Sequence, residues 1–326
     1  MPHFITHHTG RILCRGWQVH VLFVLALIAG AVPAMAQAAS ERTLEGGWEF
    51  RQLTDGKVAP GAGPAQAPRQ WHRATTPSTV HTDLLANGLI ADPYKGAPEA
   101  GLQWIGLADW EYRTNFDVSR DTRDAARSDL VFEGLDTFAE VFLNGEKVLD
   151  ADNAFRTWRV PVHGRLRAGR NELRVILRSP IAKLLPQVQA MPHRIAGNYP
   201  SPYGDEPKDA MTANFVRKPG YHYGWDWGPR YVTAGISKPV RLQSWDRARI
   251  DNLQLRQDRV TEARADVTAV ATVDAVRAGR YLARLWRTAP DGERVLAATQ
   301  RVSLAAGVNR ISQAIRIEKP QRWFPV

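Results

Sequence analysis

The chain has 326 residues, 44% of them hydrophobic and 23% charged, with 43 basic against 33 acidic side chains for a formal charge of +10. That composition is globular and excludes a mainly disordered, collagenous or coiled-coil protein. A single cysteine, Cys14, excludes an internal disulfide framework and any cysteine-based zinc site, and the eleven tryptophans are the compositional oddity.

Taken in chain order, the first segment reads as an address rather than as structure. Arg11 and Arg15 precede the apolar run Val21-Leu-Phe-Val-Leu-Ala-Leu-Ile-Ala-Gly30, and Ala34-Met35-Ala36 follows it. A basic region, an apolar region of about a dozen residues and an A-x-A site are the parts of a secretory signal peptide. The run falls short of the ~20 apolar residues that span a bilayer, so no membrane span is expected. Cleavage is expected after Ala36, which makes residues 1–36 a leader and the mature protein periplasmic or secreted. Cys14 leaves with that leader.

Residues 41–245 read as strands separated by turn signals. Between Trp110 and Val118, Trp110, Tyr112, Phe116 and Val118 alternate with Glu111, Arg113, Asn115 and Asp117, the period of a half-buried strand. Strands are also expected at 130–134 and 139–143, and Asn144-Gly145 supplies the positive φ angles of a hairpin turn into 147–149. Gly169-Arg-Asn-Glu opens another strand to 177. Helix signals are thin, with one or two turns at 81–87 and a short helix at 179–189. The pattern pauses near 244–249. Short strands then follow at 250–255, 267–273, 281–287, 302–304 and 309–317, with a turn at Asp291-Gly292. The expected fold class is all-β: a large antiparallel sandwich over 41–245, followed by an immunoglobulin-like sandwich over 246–326. An immunoglobulin-like sandwich takes ~100 residues. With only 81 residues after position 245, and an apolar Arg322-Trp-Phe-Pro-Val326 at the end, the second sandwich reads as truncated.

Metal and cofactor chemistry finds no support. Apart from His7-His8 in the leader, the histidines are dispersed without His-x-His or His-Glu-x-x-His spacing, so no metal is expected. There is no Gly-x-Gly-x-x-Gly, no P-loop and no Gly-x-Ser-x-Gly, and no cofactor is expected. Basic residues are scattered among acidic ones without a run of four, which speaks for a solvated surface and against a nucleic-acid partner. The densest aromatic patch is Lys218-Pro-Gly-Tyr-His-Tyr-Gly-Trp-Asp-Trp-Gly-Pro-Arg230. Within it, Trp225-Asp226-Trp227 sets a carboxylate between two large rings, in a turn made by Gly224, Gly228 and Pro229. A carboxylate can accept from two vicinal sugar hydroxyls while indole faces cover the apolar C–H face. Equally, both rings could be core, with Asp226 paired to Arg217, Lys218 or Arg230. The pattern alone leaves both readings open. Asn171-Glu172 has the composition of a glycosidase acid/base dipeptide, but it opens a strand after a hairpin turn and reads as structural.

Together these stretches resemble the amino-terminal part of the β-mannosidases of glycoside hydrolase family 2. The resemblance is carried by Leu44-Glu-Gly-Gly-Trp-Glu-Phe50, Val80-His-Thr-Asp-Leu-Leu-Ala-Asn-Gly-Leu-Ile-Ala-Asp-Pro-Tyr94, Gln103-Trp-Ile-Gly106 and Asp109-Trp-Glu-Tyr112. It continues through Leu135-Asp-Thr137, Leu143-Asn-Gly145, Asp152-Asn153 and the stretch from Tyr221 to Arg230. Local departures are Ala97-Pro98, Ala154 and Ser237, where the family usually has Asn, Met and Trp.

The resemblance implies that the sandwich over 41–245 is a jelly-roll (galactose-binding-like) domain, and that the protein is a retaining exo-hydrolase that removes terminal non-reducing β-D-mannose residues, with β-mannosides as its partners. Both catalytic glutamates of such enzymes belong to a (β/α)₈ barrel, which takes about 250 residues. The resemblance therefore implies that the barrel is absent here, that this chain holds no catalytic residue, and that it is the non-catalytic amino-terminal portion. By the same carry-over, Trp225, Asp226 and Trp227 are the substrate-binding residues, with Asp226 accepting from sugar hydroxyls. The competing readings are a stand-alone, lectin-like carbohydrate-binding module and a family 2 sibling such as an exo-β-glucosaminidase.

Overall fold

In the computed structural model, alternation between Trp110 and Val118 produces one nine-residue strand, and around it the larger of two units is built. The structure describes residues 9–10, 21–27, 39–53, 69–96, 98–195, 200–289 and 291–322. In chain order the strands are β1 (Thr9–Gly10), β2 (Val21–Leu27), β3 (Ser40–Thr43), β4 (Glu49–Gln52), β5 (His72–Arg73) and β6 (Trp110–Val118). They continue as β7 (Arg127–Phe132), β8 (Phe138–Leu143), β9 (Glu146–Ala151), β10 (Trp158–Pro161), β11 (Gly169–Arg178) and β12 (Val240–Trp245). The last five are β13 (Ala248–Val260), β14 (Arg264–Ala275), β15 (Gly279–Thr288), β16 (Arg294–Leu304) and β17 (Gly307–Glu318). The fold is all-β, as expected.

The larger unit comprises Glu41–Arg123 and Ser128–Gln243. Its six-stranded sheet has the order β5-β4-β6-β11-β8-β9, and its four-stranded sheet the order β10-β7-β12-β3. At the centre of the first sheet, β11 runs antiparallel to β6, with Val175 opposite Tyr112 and Leu177 opposite Trp110. These residues, with Trp48, Phe50, Phe132, Val141 and Leu173, form the core between the sheets. Asn144 and Gly145 have φ of 53° and 87°, so this hairpin turns as its sequence dictates. One position breaks the alternation: Glu111 is buried although it lies on the polar face of β6. Arg51 and Arg174 reach its carboxylate at 2.7 and 3.1 Å and neutralise it there.

Two helices matter for the site. The helix Val80–Ala86 is capped by Thr79, whose hydroxyl accepts from the Thr82 amide while the Thr82 hydroxyl accepts from the Thr79 amide. Its inner side is anchored by Asp83, which is buried and accepts from the Tyr112 hydroxyl at 2.8 Å and the Ser78 hydroxyl at 2.7 Å. The helix Pro180–Gln189 starts at Ser179, whose Oγ accepts from the Ala182 amide. Both lie where the sequence predicts helical turns.

The second unit contains Ser244–Val326 together with Met1–Ser40 and Asp124–Arg127. A sheet of order β13-β14-β17 and one of order β1-β2-β15-β16 enclose a core of Ile250, Ala271, Val273, Tyr281, Ala283, Leu285 and Ile311. Each of its strands at 250–255, 267–273, 281–287 and 309–317 is present and longer than its alternating core. The apolar run read as part of a leader includes β2, which pairs antiparallel with β15, Val21 opposite Arg287 and Leu27 opposite Tyr281. Arg11, Arg15, Ala34, Met35 and Ala36, and the chain end from 323 to 326, lie outside the described residues.

Candidate functional site: the Trp-Asp-Trp turn and its cavity

The turn is a short, closed piece of backbone. A 3₁₀ turn over Gly220–Tyr223 ends at Gly224, whose φ of 95° is open to glycine without strain. The amide of Trp225 then donates to the carbonyl of Gly228 at 3.1 Å, and the amide of Gly228 returns to Trp225 at 3.3 Å. That pair of bonds throws Asp226 and Trp227 to the tip. Trp225 is 44% and Trp227 82% exposed, with ring centroids 6.3 Å apart and planes at 68°. Asp226 is exposed and makes no hydrogen bond or ion pair among the described residues.

The alternative in which Asp226 serves as the partner of Lys218 or Arg230 is not what the structure shows, because both cations are committed elsewhere. Lys218 is fully buried, and its ammonium reaches Asp136 Oδ1 and Oδ2 at 2.6 and 2.5 Å, the Thr233 carbonyl at 2.7 Å and Thr233 Oγ1 at 3.0 Å. Arg230 donates to Asp205 at 2.5 Å, to Glu206 at 2.6 Å and to the carbonyl of Tyr223 at 2.9 Å. Its own amide donates to Glu99 at 2.7 Å, and its carbonyl accepts from Gln103 at 2.9 Å. The loop is thus stapled at two levels, Lys218 to Thr233 at its base and Arg230 to Tyr223 nearer the tip. Each cation is neutralised by buried carboxylates, as a buried charge must be.

Beside the turn lies a cavity of about 930 Å³. Its walls come from the helix at Thr79, His81, Thr82 and Leu85, from Pro93 and Tyr94, from Tyr221 and His222, from Trp225 and Trp227, and from Tyr231 and Thr233. Among the described residues lining it there is no Lys, Arg, Asp or Glu. Trp225 and Trp227 therefore line the cavity, whereas Asp226 stands at the tip beyond the lining. His81 is 7% exposed, packs its ring 5.4 Å from that of Tyr231, and leaves Nδ1 without a partner among the described residues. Burial first, then the charges of Lys218 and His222, push its pKa down to about 4, Asp136 opposing. His222 is likewise pushed down to about 4, by burial and then by Lys218, against the pull of Asp136. Both imidazoles are neutral at pH 7. Burial alone would raise the pKa of Asp136; the charge of Lys218 and hydrogen bonds from Lys218, Thr137 and Thr233 hold it below the usual carboxylate range.

Residues 136, 205, 206, 222 and 233 were not predicted as part of this site. Leu135-Asp-Thr137 carries the family resemblance, but nothing in the sequence says that Asp136 meets a lysine 82 positions away. Asn171 is structural, as expected: its side chain accepts from the Arg167 amide and from Asn144, and donates to the carbonyls of Arg167 and Gly169, closing the turn into β11. Among the described residues, no group of three His, Cys, Asp or Glu side chains could hold a metal ion.

The comparisons follow the same line. A beta-mannosidase B from Thermothelomyces thermophilus is 35% identical over 290 residues, which is 87% of this chain and 30% of that protein. The beta-mannosidase of Mus musculus is 30% identical over 236 residues, 72% of this chain and 24% of its own length. The chain thus spans about a third or less of the curated relatives it matches. Among solved structures, a beta-D-mannosidase from Dictyoglomus thermophilum superposes with a TM-score of 0.75 at 32% identity, covering 88% of this chain and 32% of that one. Residues 48–238 match the family described as the glycosyl hydrolase 2 galactose-binding domain-like domain, and the chain belongs to that family.

Proposed function

We propose that this chain is the amino-terminal, sugar-positioning part of a retaining β-mannosidase acting on terminal non-reducing β-D-mannose, and that the two catalytic glutamates lie in the remainder of the longer protein. The observation that carries the reading is the turn itself: two exposed indoles bracketing a carboxylate with no partner among the described residues. Asp226 would accept from two vicinal hydroxyls while the faces of Trp225 and Trp227 cover the apolar side of the ring. The wall without charged side chains suits an uncharged hexose. In the whole enzyme such contacts hold the anomeric carbon in register with the attacking and protonating carboxyls, which lie ~5–5.5 Å apart in retaining enzymes. Orientation of this kind contributes by removing translational and rotational freedom before the chemical step. We further propose that residues 1–36 are a cleaved leader and that the protein works in the periplasm or outside the cell. No helix of the described residues is long and apolar enough to cross a membrane.

The test is a titration of the full chain with methyl β-D-mannoside, followed by the indole N–H resonances. Saturable shifts confined to Trp225 and Trp227 are expected, with a dissociation constant on the order of 1 mM, equivalent to about −4 kcal/mol. The same chain should release no nitrophenol from an aryl β-mannoside. Silence of both indoles at saturating sugar would sink the substrate reading, and turnover of the aryl glycoside would sink the assignment of chemistry to the rest of the protein.

A further inference from the structure

We infer that His222 is a further ligand-binding residue of this cavity, a bare Nε2 that accepts a hydrogen bond from a sugar hydroxyl. The inference rests on the mannoside reading for the identity of the ligand, but its basis is proton counting around Thr233. A hydroxyl has one hydrogen and two lone pairs. Thr233 Oγ1 lies 2.7 Å from Asp136 Oδ2, 3.0 Å from Lys218 Nζ and 3.0 Å from His222 Nδ1. Lys218 can only donate and the ionised Asp136 can only accept. The single hydrogen of Thr233 therefore goes to Asp136, since two bare oxygens at 2.7 Å would repel. Both lone pairs are then left to accept, one from Lys218 and one from His222. For His222 to donate through Nδ1, that nitrogen must carry the proton, and a neutral imidazole then has a bare Nε2. Tautomers follow from the network in this way because it leaves one consistent arrangement.

Three further observations turn this tautomer toward a ligand. His222 lines the cavity, next to Trp225 and Trp227. Among the described residues its Nε2 has no partner, while the opposite ring nitrogen is tied to Thr233. The groups that face the ring are Lys218, Asp136, His81 and the edge-packed Tyr221; burial first, then Lys218, with Asp136 opposing, leaves it neutral above a pKa of about 4. The buried Lys218–Asp136 pair thus acts at a distance: through Thr233 it fixes which nitrogen of His222 is bare. Nδ1 is 3.9 Å from Asp136 Oδ2, so the hydroxyl of Thr233 is the relay. The side chain is 22% exposed, enough for a small hydroxyl to reach.

The experiment uses the full ¹⁵N-labelled chain at pH 7. Long-range ¹H–¹⁵N spectra are expected to show Nδ1 protonated and Nε2 bare before any sugar is added. Methyl β-D-mannoside should then move the Nε2 resonance along the same isotherm as the indoles of Trp225 and Trp227. Protonated Nε2 in the free protein overturns the inference by itself. Indoles that shift while Nε2 stays still also overturn it and leave the mannoside reading standing; silence of all three overturns both. In His222→Phe the dissociation constant should rise about five- to tenfold, the usual weight of one hydrogen bond. His222→Gln, which restores an acceptor, should recover part of that loss, whereas wild-type affinity in His222→Phe counts against the inference.

Discussion

Trp48 and Trp110 lie within the first sandwich, and Trp225 and Trp227 at the tip of one of its loops. The first two are fully buried, and each gives its indole N–H to a backbone carbonyl, Leu44 at 2.8 Å and Ile105 at 3.0 Å. They pack at the centre of the same core as Phe50 and Tyr112. The second two keep 44% and 82% of their surface in water and meet each other edge-on. The same side chain therefore serves two ends. In the core it removes its large apolar area from water and contributes stability. At the tip that area is withheld from the core and offered to whatever occupies the cavity.

The contrast can be broken from either end. The largest effect is expected for Trp110→Ala, which should cost about 3–5 kcal/mol of unfolding free energy through lost burial and the cavity left behind. A denaturant midpoint within error of wild type would show that this ring is not core. An intermediate effect concerns the wall between the two regions. His81 and His222 have folded pKa values of about 4, below the ordinary 6.5, so the unfolded chain binds more protons across that interval. Stability is full above pH 6.5 and is lost as pH falls toward 4, on the order of 3 kcal/mol for the well-buried His81. Asp136 keeps its ion pair through that window, because its own pKa is held below the ordinary value. His81→Phe should flatten the acid limb of a pH–melting curve; an unchanged limb would place the titration elsewhere. The smallest effect is expected for Trp227→Ala, within about 0.5 kcal/mol of wild-type stability, as for other surface positions. Its sugar-induced indole shift at Trp225 should nonetheless weaken, and a large fall in melting temperature would erase the distinction between the two pairs.

How far the molecule could be read in advance follows from how local each signal is. β6, the turn at Asn144-Gly145 and the helix opened by Ser179 depend on side-chain period and backbone preference over a few residues, and all stand where expected. β16 is expected from sequence only as residues 302–304, because its first eight residues, half of them apolar and half polar, are all half-buried or exposed and show no period. The burial of Glu111 was missed because its neutralising arginines come from β4 and β11, 60 and 63 positions away in sequence. In the site, Trp225, Asp226 and Trp227 announced themselves by density within one loop. His81, Asp136 and Thr233 converge from three distant stretches, and nothing in any of them says that they meet. Only the completed fold brings His81 and Thr233 to one wall and sets Asp136 behind Thr233.

The double staple of the loop also bears on time rather than affinity. With Lys218 holding Thr233 and Arg230 holding Tyr223, the turn between them is set before any ligand arrives. A visitor that settles on rings already in place spends no free energy on ordering them, and its arrival need not wait for the loop to rearrange. Encounter rates at such a surface approach the limits set by diffusion and orientation, so differences among related ligands are expressed in how long each one stays. For a surface that binds and releases a small ligand, rigidity of this kind favours quick exchange.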